Sequence, residues 1–448
     1  MKKVITYGTY DLFHYGHQRL LERAKALGDY LIVGVTADGF DRARGKINVQ
    51  QSLMERMEAV KATGIADEVI VEEYEGQKID DIMRYGIDIF AIGSDWNGYF
   101  DYLKDYCQVV YLERTPGVSS SELRSEQREL RLGIVGDSLF LNKFERESHY
   151  VNGVKIVGLC TSPNSFFDMS EALNSLPCVT DDFDTLLNEV DAVYLLSKPQ
   201  DHYTQIKKAL LCGKHVLCEA PIALSVKEWQ ELNTLAKEKN LILMEAIRTA
   251  YSTAYYRMLL LVKSGRIGKV VSIDSSCTSL RDNDLTSEEL KEKWNSICTW
   301  GPNALLPVFQ ILGTSYSKKC ITSLMGDDRI MYDIFTRISF VYPNAVASIK
   351  VGKGVKTEGE LVISGTTGYI YVPAPWWKTE YFEIRREDPA QNKRYFYQLD
   401  GEGIRYELVS FLKAIQSGKN YSYINDKVSE AFVQIIEDYY SQKDMILI

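Results

Sequence analysis

The sequence predicts an α/β protein: parallel sheets come first, and a region with a large, mostly antiparallel sheet follows. The first observation is that residues 1–128 alternate short apolar runs with amphipathic segments, as the strands and helices of a parallel sheet do. The second is that this alternation starts again near residue 130. The third is that, after about residue 268, longer runs with alternating polarity take over, which is typical of antiparallel strands.

The length and composition fit several folded domains. A chain of 448 residues exceeds one ordinary core, and 45% hydrophobic with 25% charged residues is typical of a globular protein. We predict three domains, over residues 1–128, 130–250 and 251–448. The first and second are expected to be Rossmann-like, and the third to be α+β. The formal net charge of -9 argues against a nucleic-acid-binding surface, although a local basic pocket remains possible.

Cysteine usage and the chain start indicate the compartment. The eight cysteines are scattered, mostly in apolar runs, and we expect buried, reduced thiols. The opening segment MKKVITY enters a strand directly, and no apolar run approaches the roughly 18 residues that cross a bilayer. We therefore expect a cytoplasmic protein without membrane insertion.

The first strand–turn–helix unit carries the most specific motif. Residues 4–7 (VITY) predict a buried strand, and residues 17–27 predict a helix whose leucines and alanine share one face. The segment GTYDLFHYGH, residues 8–17, joins them. A strand, a tight turn and a helix N-terminus direct backbone N–H groups at one point, an arrangement that suits a phosphate.

Two histidines lie at this helix start. His14 and His17 are two of only five histidines in the chain, and Gly16 between them allows a ligand to approach the backbone. Imidazoles donate hydrogen bonds to phosphoryl oxygens, and protonated ones offset charge that builds at phosphorus during a displacement. The alternative is that they are turn and helix-cap histidines.

Polar side chains also follow the later strands of the first region. Strands are predicted at 30–35, 68–71, 87–92 and 109–112, with helices near 50–63, 78–85 and 98–106. The groups after their ends are Asp38, Arg42, Arg44, Lys46, Asp95, Trp96 and the segment Arg114 to Ser121. Because the carboxyl ends of parallel strands share one edge of the sheet, we expect these groups to lie near His14 and His17.

Residues 1–128 resemble the bacterial glycerol-3-phosphate cytidylyltransferases, members of the HxGH nucleotidyltransferase superfamily. The shared segments are VITYGTYDLFHYGH, LLERAKALGDYL, GSDW, FDYLKD and RTPGVSSS, the last being similar to that family's second signature. The resemblance implies transfer of CMP from CTP to an alcohol phosphate, with glycerol 3-phosphate as the first candidate. The products would be pyrophosphate and a CDP-alcohol such as CDP-glycerol, used in cell-wall or capsule biosynthesis.

The same resemblance implies roles for single residues. The catalytic set would be His14, His17, Lys46 and Arg114. CTP would be bound by Gly8, Thr9, Tyr10, Asp11, Gly16, Asp95, Thr115, Gly117, Val118, Ser119 and Ser120. The acceptor would be held by Arg44, Lys78 and Trp96, with Arg44 standing where the family has a lysine. Mg²⁺ would accompany the nucleotide, and Asp11 is a candidate metal ligand.

Residues 130–448 resemble the glucose–fructose oxidoreductase and inositol dehydrogenase family. The resemblance lies in DAVY (191–194), His202, ALLCGKHVLCE (209–219), LMEA (243–246) and SGRIGKV (264–270). The predicted strands are 132–136, 154–159, 192–196, 215–218 and 241–244, then 337–342, 345–351, 360–364 and 369–372, with helices near 404–416 and 427–441. The family implies an NAD(P) site, with Gly136, Ser138, Glu219 and Pro221 as its candidates here.

Several departures from that family indicate that redox chemistry is lost. Only the first glycine of the dinucleotide turn remains, Asp137 follows it, and strand 154–159 ends in Cys-Thr-Ser without an acidic residue for a ribose. The family's Glu-Lys-Pro motif is Glu219-Ala220-Pro221, which lacks the lysine. We expect a scaffold that dimerises or binds a sugar or polyol phosphate. The aromatic residues between Tyr369 and Phe382 are expected to lie in the core or at a subunit interface.

Two other functions remain open. In the first, the protein is bifunctional, and its C-terminal region reduces a keto-phosphate with NAD(P)H to make the polyol phosphate acceptor. In the second, it is a non-catalytic nucleotide-binding scaffold, although the two intact signatures argue against this. The expected partners are CTP, a phosphorylated alcohol and a second copy of the chain in a dimer or other homo-oligomer.

Overall fold

The computed structural model divides the chain into two compact units, Met1–Glu129 (unit 1) and Leu130–Ile448 (unit 2). It describes residues 1–37, 49, 51, 53–73, 76–113, 129–151, 153–280, 295–326, 333–378, 380–396, 399, 401–418, 420 and 422–448. The predicted strand-end groups that lie outside the described residues are Asp38, Arg42, Arg44, Lys46 and the segment 114–121, which includes Arg114, Thr115, Gly117, Val118, Ser119, Ser120 and Ser121.

Unit 1 contains a five-stranded parallel sheet with the strand order β3-β2-β1-β4-β5. Its strands are β1 (Lys3–Gly8), β2 (Tyr30–Thr36), β3 (Glu68–Glu72), β4 (Ile89–Gly93) and β5 (Gln108–Leu112), and its helices are α1 (Tyr15–Lys25), α2 (Leu53–Ala62) and α3 (Gln77–Tyr85). Val4 and Ile5 pack in different core clusters on opposite faces of β1. Burial of both faces explains why these strands are continuous apolar runs.

One predicted helix of unit 1 is wrong. The segment 98–106 was expected to be helical, but only short 3-10 helices, Ser94–Trp96 and Asp101–Asp105, occur there. Gly98 between them has φ of +81°, a left-handed conformation that no α-helix contains. The chain therefore turns at this glycine.

Unit 2 begins with a six-stranded parallel sheet in the order β11-β10-β9-β6-β7-β8. Its strands are β6 (Leu130–Val135), β7 (Val154–Cys160), β8 (Cys178–Thr180), β9 (Ala192–Leu195), β10 (His215–Glu219) and β11 (Leu243–Ala246). The helices with it are α4 (Leu141–Ser148), α5 (Glu171–Asn174), α6 (Phe183–Glu189), α7 (Pro199–Leu211), α8 (Val226–Glu238), α9 (Arg248–Tyr251) and α10 (Thr253–Lys263). Strand β8, only three residues long, was not predicted.

A nine-stranded sheet forms the rest of unit 2, in the order β19-β18-β17-β16-β12-β15-β14-β13-β20. Its strands are β12 (Val270–Thr278), β13 (Lys318–Met325), β14 (Asp333–Val341), β15 (Val346–Gly352), β16 (Leu361–Gly365), β17 (Gly368–Val372), β18 (Tyr381–Arg385), β19 (Lys393–Phe396) and β20 (Met445–Leu447). The sheet is antiparallel except at the β12–β15 and β13–β20 pairs, so the predicted fold class is confirmed.

Unit 2 also contains the helices α11 (Ser296–Leu312), α12 (Ile404–Ser417), which packs on α4 and α9, and α13 (Asp426–Tyr440), which packs on α8 and α11. Helix α11 packs on β12 and β15. Trp376 and Phe382 of the predicted aromatic group are fully buried in this core, and the Trp376 indole donates to the Ser276 carbonyl at 3.1 Å.

All eight cysteines are free thiols, as expected. Cys160, Cys218, Cys277 and Cys298 are buried, but Cys212 is exposed, so the expectation of burial is wrong for that residue. Cys212 follows the last turn of α7, where the helix end faces solvent. Within the described ranges, the helices are all too short or too polar to cross a membrane.

Candidate active site

The turn between β1 and α1 has an uncommon backbone. Tyr10 and Leu12 both adopt left-handed conformations, with φ of 53° and 47°, which cost a non-glycine residue roughly 1 kcal/mol or more each. The turn brings the chain from Gly8 to His14, the N-cap of α1. Such strain persists only where surrounding contacts hold the turn in place.

His14 and His17 lie together at the start of α1. Their ring centroids are 3.9 Å apart, with the planes inclined by 19°. Nδ1 of His14 accepts a hydrogen bond from the Gly16 N–H at 3.1 Å, so this nitrogen carries no proton. The neutral ring then carries its proton on Nε2, which becomes a hydrogen-bond donor. His14 is thus a helix-cap histidine, and Nε2 is its donor nitrogen.

Tyr10 belongs to the core of unit 1. Its side chain is only 1% exposed, and its ring meets the edge of the His17 ring at a centroid distance of 5.4 Å. A Cβ at Gly8 would lie 3.0 Å from the Tyr10 ring, so this position needs glycine for packing. A contact between Tyr10 and a nucleotide can therefore come only from its main chain, while its side chain supports His17.

Buried polar groups hold the turn from behind. Asp11 Oδ1 accepts from the Gln51 N–H at 2.9 Å, and the Gln51 side chain accepts from the Leu12 N–H at 2.8 Å. The guanidinium of Arg56, fully buried, donates to the carbonyls of Thr9 at 2.6 Å and Thr36 at 2.8 Å. One cation thereby ties the ends of β1 and β2 together.

The sequence analysis did not identify Arg56. The available signal was its position between Leu53, Met57 and Val60 on the apolar face of α2, where a charged residue needs partners.

Lys78 does not lie on an open rim as an acceptor-binding residue would. It is 6% exposed and forms an ion pair with Glu72, which is 1% exposed at the end of β3. Its ammonium also lies 4.6 Å from the centroid of the Tyr7 ring. Glu72 in turn accepts from the Thr36 hydroxyl at 2.8 Å. The charge of Lys78 is therefore neutralised inside the unit, behind the turn.

Asp95 and Trp96 follow β4 in a 3-10 helix. Asp95 is exposed, and Trp96 is half-buried, with its ring 5.7 Å from the Phe100 ring. The structure thus places His14, His17, Thr9 and Asp95 at the carboxyl ends of β1 and β4. These two strands are adjacent, and the chain order reverses between them, which is where open parallel sheets bind ligands.

The corresponding edge of unit 2 starts at Gly136, after β6. Gly136 has φ of 138°, and a Cβ there would lie 2.3 Å from the Leu196 carbonyl oxygen. The Ser138 hydroxyl accepts from the Phe140 N–H at 3.2 Å, and Leu141 begins α4 fully buried. Side chains thus occupy the positions where a dinucleotide turn usually has its second and third glycines.

Asp137 reaches from this turn to the neighbouring strand. Its Oδ1 accepts from the Thr161 hydroxyl at 2.8 Å and from the Ser162 N–H at 2.7 Å, just after β7. Partial burial acts to raise the pKa of Asp137, but the hydrogen bonds from Ser162 and Thr161 outweigh it and hold the pKa below its ordinary value. Asp137 is therefore ionised at neutral pH.

Charged groups also surround Glu219 at the end of β10. Its Oε1 accepts from the Tyr194 hydroxyl at 2.5 Å and lies 4.0 Å from Nη1 of Arg248. The Arg248 guanidinium stacks 4.2 Å from the centroid of the Phe140 ring. Glu407, fully buried on α12, has a pKa raised well above its ordinary value by burial and by the charge of Glu219.

Ala220 stands where the Glu-Lys-Pro motif of the resembled oxidoreductases has its lysine. It is 8% exposed and carries no titratable group. The Pro221 carbonyl lies 2.7 Å from Nδ1 of His202, and the Ser197 carbonyl lies 3.0 Å from its Nε2. His202 is fully buried, and burial lowers its pKa, so its one N–H donates to one of these two carbonyls. Neither residue can pass a proton to a substrate.

A metal centre was predicted only through Asp11. Among the described residues, the structure contains no group of three or more histidine, cysteine, aspartate or glutamate side chains that could hold a metal ion. Asp11 is 3% exposed, and its Oδ1 accepts from the Gln51 N–H. This hydrogen bond holds the chain at Gln51 against the turn after β1.

Two family models match the chain. One, described as cytidylyltransferase-like, matches residues 5–126, and the other, an oxidoreductase family with an NAD-binding Rossmann fold, matches residues 130–247. A glycerol-3-phosphate cytidylyltransferase from Bacillus spizizenii is 51% identical over 130 residues, which cover 29% of this chain and 100% of that relative.

Solved structures resemble unit 2. KijD10, a 3-ketoreductase from Actinomadura kijaniata in complex with NADP and TDP-benzene, matches with a TM-score of 0.63 at 16% identity over 72% of this chain and 100% of its own. An oxidoreductase from Agrobacterium radiobacter, in complex with NAD+, L-tartaric acid and magnesium, has a TM-score of 0.60 at 18% identity over 70% of this chain and 96% of its own. At these identities the likeness shows the fold.

Proposed function

The chain belongs, through a stretch of 130 residues, to the glycerol-3-phosphate cytidylyltransferase family, and from this premise we propose that unit 1 transfers CMP from CTP to an alcohol phosphate. The acceptor that we propose is glycerol 3-phosphate. An oxygen of its phosphate attacks the α-phosphorus of CTP, the bond from that phosphorus to the bridging oxygen breaks, and pyrophosphate leaves. The product is a CDP-alcohol, here CDP-glycerol.

The stacked pair of His14 and His17 is the observation that carries this proposal. An in-line displacement at phosphorus needs alignment and charge neutralisation more than a protein nucleophile. The hydrogen bond from Gly16 to Nδ1 makes Nε2 the donor nitrogen of a neutral His14. Two parallel rings 3.9 Å apart repel each other when both are protonated, which favours a neutral form of at least one. The pair would therefore act through hydrogen bonds to the phosphates, with no more than one of the two rings protonated.

The remaining family roles are part of the proposal. We assign CTP contacts to Gly8, Thr9, the Tyr10 main chain, Asp11, Gly16, Asp95, Thr115, Gly117, Val118, Ser119 and Ser120. Lys46 and Arg114 are proposed as cations for the triphosphate, and Arg44, Lys78 and Trp96 as acceptor contacts. For Lys78 this role requires the ammonium to leave Glu72, since the two form a buried pair. Mg²⁺ would come with CTP and neutralise the leaving pyrophosphate.

For unit 2 we propose a dinucleotide-binding fold that has lost hydride transfer. The likeness to NAD(P)-bound structures supports binding, and Gly136 retains the tight turn. Ala220 in place of a lysine, together with His202 buried between two carbonyls, argues against proton transfer to a keto group. Bound NAD(P)H would supply hydride chemistry, and the bifunctional alternative predicts its oxidation by a keto-phosphate.

The organisation of the protein is proposed in three parts: a cytidylyltransferase domain at 1–128, a dinucleotide-binding domain at 130–250 and an α+β domain at 251–448. The eight free thiols support a reducing, cytoplasmic location. We also propose a homo-oligomer, which light scattering after size-exclusion chromatography would test. A CDP-alcohol is an activated donor for phosphodiester polymers, which supports a place in cell-wall or capsule biosynthesis.

The test of function is a pyrophosphate-release screen with CTP, ATP and UTP against a panel of phosphorylated alcohols. We expect release with CTP and glycerol 3-phosphate, and none with CTP alone. A nucleotide-binding scaffold would bind CTP without release for any acceptor. A second arm follows NADPH and NADH absorbance with keto-phosphates, where oxidation would establish the bifunctional alternative.

A further inference from the structure

The carboxylate of Asp137 lies at the end of a strand that lacks an acidic residue of its own. Strands β6 and β7 pair in parallel, with Val135 opposite Cys160. Asp137 stands two residues beyond β6, and its Oδ1 accepts from Thr161 and Ser162, the first two residues beyond β7. The side chain thus spans the gap between the two strand ends.

In dinucleotide-binding sheets, the end of the second strand carries an acidic residue that accepts a hydrogen bond from the adenosine ribose 2′-hydroxyl. Here the second strand of that sheet is β7, which is followed by Thr161 and Ser162. We propose that Asp137 supplies this carboxylate from the first turn, so that unit 2 takes NAD(H) in preference to NADP(H). This inference rests on the proposed dinucleotide binding of unit 2.

Asp137 has the access and bonding capacity that this role needs. The residue is exposed, and the hydrogen bonds from Thr161 and Ser162 both end on Oδ1. The hydroxyls of Ser162 and Ser165 also hydrogen-bond this carboxylate, so a ribose hydroxyl would replace one of these rotatable serine donors. Because these protein groups fix the carboxylate, little side-chain entropy is lost when a ribose binds.

Nearby negative charges also favour NAD(H) over NADP(H). Burial and the charges of Asp182, Asp181 and Asp137, in that order, raise the pKa of Cys160 to about 11, which places all three carboxylates around the end of β7. NADP(H) differs from NAD(H) only by a 2′-phosphate, whose negative charge these carboxylates repel. A ribose hydroxyl instead gains a charge-assisted hydrogen bond.

The far side of the turn offers a cation. Arg248 stacks on the ring of Phe140, the N-cap residue of α4, so its guanidinium lies at a helix N-terminus. A guanidinium and backbone N–H groups together suit a diphosphate. Asp137 and Arg248 would then contact different parts of the dinucleotide: the carboxylate would face the ribose, and the guanidinium would face the phosphates.

The experiment titrates the full-length protein with NADH and, separately, with NADPH, following nicotinamide fluorescence and checking by calorimetry. Wild type is compared with Asp137→Asn, which keeps shape and removes charge, and with Glu189→Gln, which removes one charge from the exposed last residue of α6. We expect wild type to bind NADH about tenfold or more tightly than NADPH, the order expected for one charged hydrogen bond. In Asp137→Asn the ratio should fall to about one to threefold, while Glu189→Gln keeps most of it.

Different failures identify different errors. If wild type binds neither nucleotide, dinucleotide binding by unit 2 is wrong, and this inference falls with it. If wild type binds both equally, or prefers NADPH, unit 2 binds dinucleotides but Asp137 does not select NAD(H). The assignment is also overturned if Asp137→Asn weakens both ligands equally, or if Glu189→Gln lowers the ratio as much.

Discussion

The two parallel sheets of this chain share a strand order and differ in the side chains at their carboxyl edges. Both place their first strand beside the fourth, counting along each sheet's own chain order. At the edge of unit 1, two imidazoles stack at the start of α1. At the edge of unit 2 the groups are carboxylates, Asp137, Glu219 and Glu407, with Arg248 among them. The shared fold provides the location, and these side chains determine what chemistry can occur there.

The first glycines of the two sheets teach a further point. Gly8 is needed because a Cβ would collide with the Tyr10 ring, and Gly136 because a Cβ would collide with the Leu196 carbonyl. Both requirements come from the protein itself. A glycine at such a turn can therefore persist whether or not a ligand binds, and it is weaker evidence of function than a pair of imidazoles.

The largest effect is expected from His17→Ala. Loss of an imidazole that neutralises developing charge should lower the rate of CTP-dependent pyrophosphate release by about 10³-fold or more, with little change in thermal stability. The control is His149→Ala, a histidine of unit 2 that is 72% exposed. Near-native activity of His17→Ala would show that His17 has no catalytic role. The histidine pair would then no longer distinguish the edge of unit 1 from that of unit 2.

His14 separates capping from catalysis. Asparagine is a good N-cap and can accept from the Gly16 N–H, but it lacks the Nε2 donor. We expect His14→Asn and His14→Ala both to lose about 10²-fold in rate, and only His14→Ala to lose a further ~1 kcal/mol of stability. Retained activity in His14→Asn would show that His14 only caps the helix.

The buried pair behind the turn is tested with Glu72→Gln. Removing the carboxylate leaves the Lys78 ammonium buried without its partner, which should lower the free energy of unfolding by about 3 kcal/mol. Glu73→Gln, at the exposed neighbouring position, is the matched control. Equal unfolding midpoints in urea for the two variants would mean that the pair contributes nothing.

A buried acid of unit 2 predicts a pH dependence. Burial raises the pKa of Glu245 from 4.5 to about 7 in the folded protein. The folded state therefore holds this proton more tightly than the unfolded chain does. The resulting stability is complete below pH 4.5 and is lost as the pH rises through 7. Across this window the loss should be about 3 kcal/mol.

Urea unfolding at a series of pH values measures this effect. Glu245→Gln should flatten the profile, whereas Glu238→Gln, on the exposed surface of α8, should leave it unchanged. A profile that stays as steep in Glu245→Gln would assign the pH dependence to other groups.

The smallest effect is expected at the edge of unit 2. Glu219→Gln keeps an acceptor for the Tyr194 hydroxyl but removes a charge near Arg248. If only unit 1 carries the transfer site, pyrophosphate release should stay within about twofold of wild type. A loss approaching that of His17→Ala would mean that the two edges act in one reaction.

Much of the fold could be predicted, because both parallel sheets are buried on two faces and their strands are plain apolar runs. The 98–106 segment could not, since its apolar pattern resembled a helix while Gly98 turns the chain. The proximity of His14 and His17 could be predicted, because it depends on local spacing at a helix start. Contacts between distant segments could not be predicted: Arg56 joins two strand ends, and Asp137 reaches β7 from the turn after β6.

The most direct test of the central claim follows the α-phosphate of labelled CTP. With glycerol 3-phosphate present, wild type should move the label into CDP-glycerol in equal amounts with released pyrophosphate, and His17→Ala should move none above background. Label that remains in CTP or appears only as CMP with wild-type protein, or transfer that continues undiminished in His17→Ala, would contradict the account.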